Sequence, residues 1–155
     1  MPGNASVEQR LQRLEDLEEI RRLFLDYGHF LDQKDFSSYA RLFAADGAWR
    51  GGIGEATGPD DIEAMLVQAI GNGTGRPSCH LVANPRIELD GDRARARVTW
   101  VFLVGDEEDG SPKVALVGHY DDELVREGGS WRFLRRLAPR DIPVEAGTHD
   151  GARRT

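Results

Sequence analysis

Asp32 ends a helical pattern whose last turn is otherwise apolar, and His80 opens a stretch that reads as a strand. A carboxylate and an imidazole are the raw material of general acid–base catalysis. A neutral imidazole is a serviceable base near neutral pH, but it must present one ring nitrogen to the substrate. A carboxylate bonded to the other nitrogen fixes that tautomer and stabilises the imidazolium that forms. Each residue also has a plainer reading. Asp32 at a helix end can be a cap or a solvated terminus, and His80 can be a half-buried histidine with its nitrogens satisfied locally. Spacing alone does not bring the two together.

The elements that must position them are legible from periodicity. Over residues 7–31 the apolar positions Leu11, Leu14, Leu17, Ile20, Leu23, Phe24, Tyr27 and Leu31 recur at three- and four-residue steps, which predicts one long amphipathic helix. Asp35 can cap a shorter helix carrying Phe36, Tyr39, Ala40, Leu42 and Phe43, stopped by Asp46-Gly47. Residues 48–54 read as a short strand entering a glycine-rich loop. Pro59 and Asp60 after Gly58 open a third helix that Gly71 closes, and GNGTGRP follows as a loop. Beyond Pro77 the period changes: residues 80–89, 94–104, 114–125 and 131–137 read as strands joined by glycine-containing turns, hence hairpins. Three helices followed by a strand meander predict an α+β domain with helices covering one face of a curved, mostly antiparallel sheet. We read one domain over residues 1–155, with its core at about 7–138 and residues 139–155 as a flexible tail or pocket flap.

Composition excludes several partners. With 27 acidic against 20 basic residues and a net charge of -7, the chain lacks the coherent basic surface that nucleic acid demands. Arg93, Arg95 and Arg97 alternate along one strand face and read as a solvated edge. Cys79 is the single cysteine, so no intramolecular disulfide forms, and no Cys/His spacing resembles a zinc site. The start MPGNASVEQR has no apolar core of a leader, and no long apolar run spans a membrane. The expectation is a soluble cytoplasmic protein without metal or cofactor. The stretch VTWVFLV has apolar residues on both alternating faces, and one chain has helices for only one of them. A second copy of the chain is the natural cover for the other.

The order of motifs carries a resemblance. Tyr-x4-Asp ends the first helix, Asp35-Phe36 precedes LFAADGAW, Gly58-x3-Ile62 opens the third helix, a strand opens with His80, and then come Gly118-x-Tyr120-x-Asp122 and Trp131-Arg-Phe-x-x-Arg136. This order resembles the SnoaL-like branch of the NTF2-like superfamily over residues 14–137. The resemblance implies a cystatin-like cone, three N-terminal helices on a strongly bent sheet around one apolar pocket. Within the branch the positions look most like the group containing scytalone dehydratase, bile acid 7-alpha-dehydratase and lindane dehydrochlorinase. That likeness implies Asp32 and His80 as a catalytic dyad, with Asp32 orienting and His80 abstracting. Where lindane dehydrochlorinase has a pocket lysine this chain has Tyr27, as the bile-acid enzyme does, so dehydration is preferred to dehydrochlorination.

Tyr27 lies about 140° around the helix from Asp32, so both border one cavity only if the helix end faces it broadly. Its phenol could donate to a developing enolate oxygen or a leaving hydroxyl. By the same resemblance Trp49 and Arg136 are substrate-binding residues, and we place Tyr120 with them. Their plainer readings are packing for Trp49 and Tyr120 and an ion pair for Arg136. His29 and His119 read as surface or interface histidines, and Asp121-Asp122-Glu123 as a solvated face without the second cluster that a metal needs.

The expected function is a cofactor-independent, dehydratase-type lyase acting on an apolar, polycyclic or polyketide-like carbonyl compound. A polyketide cyclase or isomerase using the same base is the alternative within catalysis. A noncatalytic module, like the beta subunit of ring-hydroxylating dioxygenases, is the alternative outside it. The expected assembly is a homo-oligomer, a trimer before a dimer.

Overall fold

The computed structural model describes residues 5–71 and 77–142. Helix α1 (Val7–Gln33) starts at a capping box: the Ser6 side chain accepts from the Gln9 amide while the Gln9 side chain accepts from the Ser6 amide. It packs from Asp16 onward, burying Ile20, Leu23, Phe24 and Tyr27. The apolar positions before that point, Val7, Leu11 and Leu14, are exposed, so the periodic stripe runs further than the surface it covers. Helix α2 (Phe36–Ala40) is capped by Asp35, whose carboxylate accepts from the Ser38 amide.

Here the expectation fails in one respect. The second helix does not reach Phe43, because strand β1 (Phe43–Gly51) begins there and Phe43 pairs with Phe133. Helical propensity yields to a tertiary strand contact. Strand β2 (Gly54–Thr57) returns antiparallel to β1, and helix α3 (Pro59–Ala69) follows, buried through Ile62 and Leu66.

Strands β3 (Ser78–Asp90), β4 (Arg93–Gly105), β5 (Pro112–Glu127) and β6 (Ser130–Ala138) form the expected meander. The sheet order is β2-β1-β6-β5-β4-β3, and β7 (Arg140–Ile142) pairs with β5. All pairings are antiparallel except β1 with β6. Register shifts between Ala83 and Arg86, Phe102 and Leu103, and Glu123 and Leu124 interrupt the ladder, and such bulges bend strands. The result is a curved, unclosed sheet with helices on its inner face. The expected tail is in part strand β7; the rest of it, like most of the GNGTGRP loop, lies outside the described residues.

The core sits between α1, α2, β1 and β6. Tyr27 meets Tyr39 with ring centroids 4.5 Å apart, and Phe43 meets Phe133 at 5.2 Å. Each such buried aromatic contributes about 1.5–3 kcal/mol of apolar burial. On β4 the alternation is as expected at one end: Ala94 and Ala96 are buried while Arg93, Arg95 and Arg97 are exposed. At the other end Val98 and Trp100 are buried inward, whereas Val101 and Leu103 on the outer face are only half covered. Leu81, Val101, Val117 and Ile142 are register partners in one row across that outer face. No helix among the described residues is long and apolar enough to cross a membrane.

Candidate active site

The last turn of α1 crosses β3 where Gly28 faces the strand. A methyl group there would stand 3.6 Å from Val82 Cγ2 and 3.8 Å from His80 Cβ, already in van der Waals contact with the strand. This close crossing brings Asp32 onto the first residues of β3. Asp32 Oδ1 lies 2.6 Å from His80 Nδ1, and Asp32 Oδ2 accepts the His80 backbone N–H at 2.9 Å. A carboxylate only accepts, so the ring bears a proton on Nδ1, and in the neutral imidazole the lone pair is then on Nε2. The two side chains are 18% and 17% exposed, shielded yet open to a ligand.

They border a cavity of about 320 Å³. Register explains much of its wall. His80 pairs with Phe102, and Phe102 with Leu116, so all three stand in one row on the inner face. The next row holds Val82, Trp100 and Gly118. Gly118 has to be glycine, since a Cβ there would overlap the Trp100 ring and the Pro139 carbonyl. Trp100 is then fixed by its Nε1–H, which donates to the His119 carbonyl at 3.1 Å.

Tyr27, Trp49 and Tyr120 also line the cavity. The Tyr27 hydroxyl accepts from Trp49 Nε1 at 2.9 Å, and the Tyr27 and Tyr120 rings meet edge to face at 5.2 Å. Burial, with the neighbouring Tyr27 adding to it, pushes the Tyr120 phenol well above its ordinary range, so it stays neutral.

Arg136 is different. It is fully buried behind the wall and is not among the residues that line the cavity. Its Nε and Nη2 donate to Asp122 Oδ1 and Oδ2 at 2.8 and 2.6 Å, a bidentate pair. Its guanidinium carbon stands 4.0 Å from the Tyr27 ring centroid, 3.9 Å from Tyr120 and 4.0 Å from Phe133. Burial works against its charge, but Asp122 outweighs this and holds its pKa above the ordinary value. Burial raises Asp122, with Arg136 opposing. Arginine does not deprotonate, so we take the pair as ionised. The reading of Asp122 as part of a solvated face is thus corrected: its carboxylate neutralises a buried cation.

The structure therefore brings Tyr27, Asp32, His80, Trp49 and Tyr120 to one cavity and puts Arg136 one layer behind. Sequence reasoning missed Trp100, Phe102, Lys34 and Arg140 as wall residues. The shared face of Trp100 and Phe102 in VTWVFLV was a usable signal. Among the described residues no three His, Cys, Asp or Glu side chains gather as a metal site would require.

Comparison with known proteins agrees with this fold. Residues 12–137 match the SnoaL-like domain. The uncharacterized protein Rv2910c of Mycobacterium tuberculosis is 33% identical over 132 residues, covering 80% of this chain and 84% of the relative. An NTF2-like protein with a cystatin-like fold from Novosphingobium aromaticivorans superposes with a TM-score of 0.78 at 26% identity, over 91% of this chain and 94% of that one. A protein of the same organism, provisionally assigned as a scytalone dehydratase, gives 0.71 at 24% identity, over 84% and 87%.

Proposed function

We propose, from the premise that the chain belongs to the SnoaL-like family, that this protein is a cofactor-independent lyase that removes water from an apolar hydroxylated carbonyl compound of polycyclic or polyketide-like form. His80 Nε2 takes a proton from the carbon beside the carbonyl, and the electron pair passes into an enolate. The enolate then reforms the carbonyl, a carbon–carbon double bond forms, and the β-hydroxyl departs as water with the proton returned by the imidazolium. Asp32 holds the ring in the required tautomer and offsets the imidazolium charge. Tyr27 donates to the enolate oxygen or the leaving hydroxyl. Trp49 and Tyr120 hold the apolar body of the substrate, with Trp100 and Phe102.

The observation that carries this reading is the double engagement of Asp32 with His80 at the edge of an apolar cavity. Arg136 has no direct part in binding in this scheme; it backs Tyr27 and Tyr120. The outer row Leu81, Val101, Val117 and Ile142 supports a homo-oligomer, a trimer before a dimer, as the working form.

The test is a panel of β-hydroxy ketones and polycyclic hydroxylated carbonyl compounds, followed by the absorbance of the conjugated product and by mass. Loss of one water with new conjugation is the expected result. A product of unchanged mass reassigns the base to cyclisation or isomerisation. Binding of panel members without any turnover favours a noncatalytic module.

A further inference from the structure

We infer that Gly51 is a positioning residue of the active site and that it sets the size of ring system the cavity admits. It does both by leaving room for the Trp49 indole. This rests on reading the cavity as the substrate site. Gly51 lies within the sheet, paired with Gly54 on β2 and Ala138 on β6. Glycine weakens a strand, and the usual reason to find one is a left-handed backbone or a close approach. The φ of Gly51 is not positive, so its backbone does not call for glycine.

The close approach is that of Trp49. Residues two apart on a strand point to the same face, and the indole lies along β1 over position 51. A Cβ there would stand 2.6 Å from Trp49 Cη2 and 3.0 Å from Cζ2, with Ala138 Cβ also at 3.0 Å. The ring cannot swing aside freely, since it is buried and its Nε1–H is bonded to the Tyr27 hydroxyl at 2.9 Å. The same arrangement recurs elsewhere in the wall. Trp100 fills the space of a side chain at Gly118, whose φ is not positive either, and is tied through Nε1 to the His119 carbonyl. Both indoles line the cavity, so two large side chains are held against the sheet, each by a hydrogen bond and a glycine. The space of about 320 Å³ that this leaves is within the range that holds drug-sized ligands. A side chain at 51 would lift the Trp49 ring off β1 toward the cavity and narrow it. It would also draw Nε1 away from the hydroxyl that serves as donor in the proposed reaction. Ring size and turnover are thus coupled through one glycine.

The experiment compares wild type, Gly51→Ala, Trp49→Phe and the double variant in the full-length protein. Binding of 1-naphthol and of the larger 9-phenanthrol is read from the fluorescence of the ligands. The wild type is expected to bind both. Gly51→Ala should weaken 9-phenanthrol about tenfold or more relative to 1-naphthol, the usual effect of one misplaced methyl group in an apolar pocket. Phenylalanine lacks the outer ring atoms that a Cβ at 51 meets, so in the Trp49→Phe background the same substitution should leave the preference unchanged. The Ala138 contact is common to both backgrounds and cancels in the comparison. On a substrate, Gly51→Ala should lower kcat by up to about tenfold, the loss of one hydrogen bond, and should add nothing to the loss in Trp49→Phe. A glycine with a merely structural role would cost the same in both backgrounds and leave the ring-size preference where it was. Either of those results, or failure of the wild type to bind either of the two ligands, would overturn the inference. Should Gly51→Ala not fold, the double variant must, and a double variant that is also unfolded has the same consequence. Binding requires neither His80 nor turnover, so a failure of the lyase reading is seen separately, as an intact ring-size preference without product.

Discussion

The Tyr27 hydroxyl accepts a hydrogen bond from Trp49 Nε1 at 2.9 Å, across 22 residues of sequence. Indole nitrogen can only donate, so the phenol's own proton is not used in this bond. We predict that Tyr27→Phe lowers kcat by about 10²–10³-fold, the loss of one oxyanion-type donor. Trp49→Phe should have a smaller effect of the same kind, through misplacement of Tyr27. Steady-state kinetics on the first substrate found will check this. Unchanged kcat in Tyr27→Phe would make the phenol a packing residue.

The Arg136–Asp122 pair should behave as a buried ion pair, not as surface charges. Asp122→Ala is expected to destabilise the fold by about 3–5 kcal/mol, because it leaves a fully buried guanidinium without its counter-charge. Urea denaturation measures this directly. A change within about 0.5 kcal/mol, as for an ordinary surface site, would show that the pairing contributes nothing.

Asp16 ties α1 to the far end of the sheet. It accepts from Arg126 at 2.5 Å, Trp131 Nε1 at 3.2 Å and Gln12 at 3.0 Å. Burial alone would raise its pKa, but these bonds and the Arg126 charge hold it below the ordinary 3.8. A folded-state pKa below the unfolded value means stability that is fully present above the unfolded pKa and lost as pH falls through the folded one. Asp16→Asn should therefore cost about 1.5–3 kcal/mol near neutrality and less once the pH is well below that range. Denaturant midpoints at both pH values decide the matter; an equal loss at each would contradict the linkage.

The half-covered outer row predicts assembly. Light scattering at micromolar concentration should give a multiple of the chain mass, a trimer before a dimer. Leu81→Glu, at a position 51% exposed in the single chain, should shift the protein toward monomer. A monomer in the wild type would refute the proposed assembly.

Much of this was legible in the sequence, for physical reasons that can be named. The 3.6-residue stripe gave α1, Gly58-Pro59-Asp60 gave the start of α3, and the glycine turns gave the hairpins. Ser6-x-x-Gln9 was a readable capping box that went unused. The start of β1 was not readable, because the Phe43–Phe133 pairing that sets it is distant in sequence. The burial of Arg136 against Asp122 was hidden for a different reason. Between Phe133, opposite Leu124, and Arg135, opposite Glu123, the register shifts by one residue. Strict alternation from Phe133 would send Arg136 outward; the bulge turns it inward to Asp122 and leaves Leu137 at the surface, 37% exposed. Nothing in local composition announces such a shift. Lys34 and Arg140 were equally hidden, one by an unusual backbone angle and the other by a short strand beyond the main meander.

The most direct test of the dyad is the turnover of one substrate by wild type, Asp32→Asn, His80→Ala and the double variant, with circular dichroism confirming that all four are folded. The account predicts that His80→Ala loses nearly all activity and that Asp32→Asn falls steeply, by as much as about 10⁴-fold, through the wrong imidazole tautomer. The double variant should be no worse than His80→Ala, since residues acting as one unit are not independent. A His80→Ala protein that turns the substrate over as fast as wild type would contradict the mechanism outright.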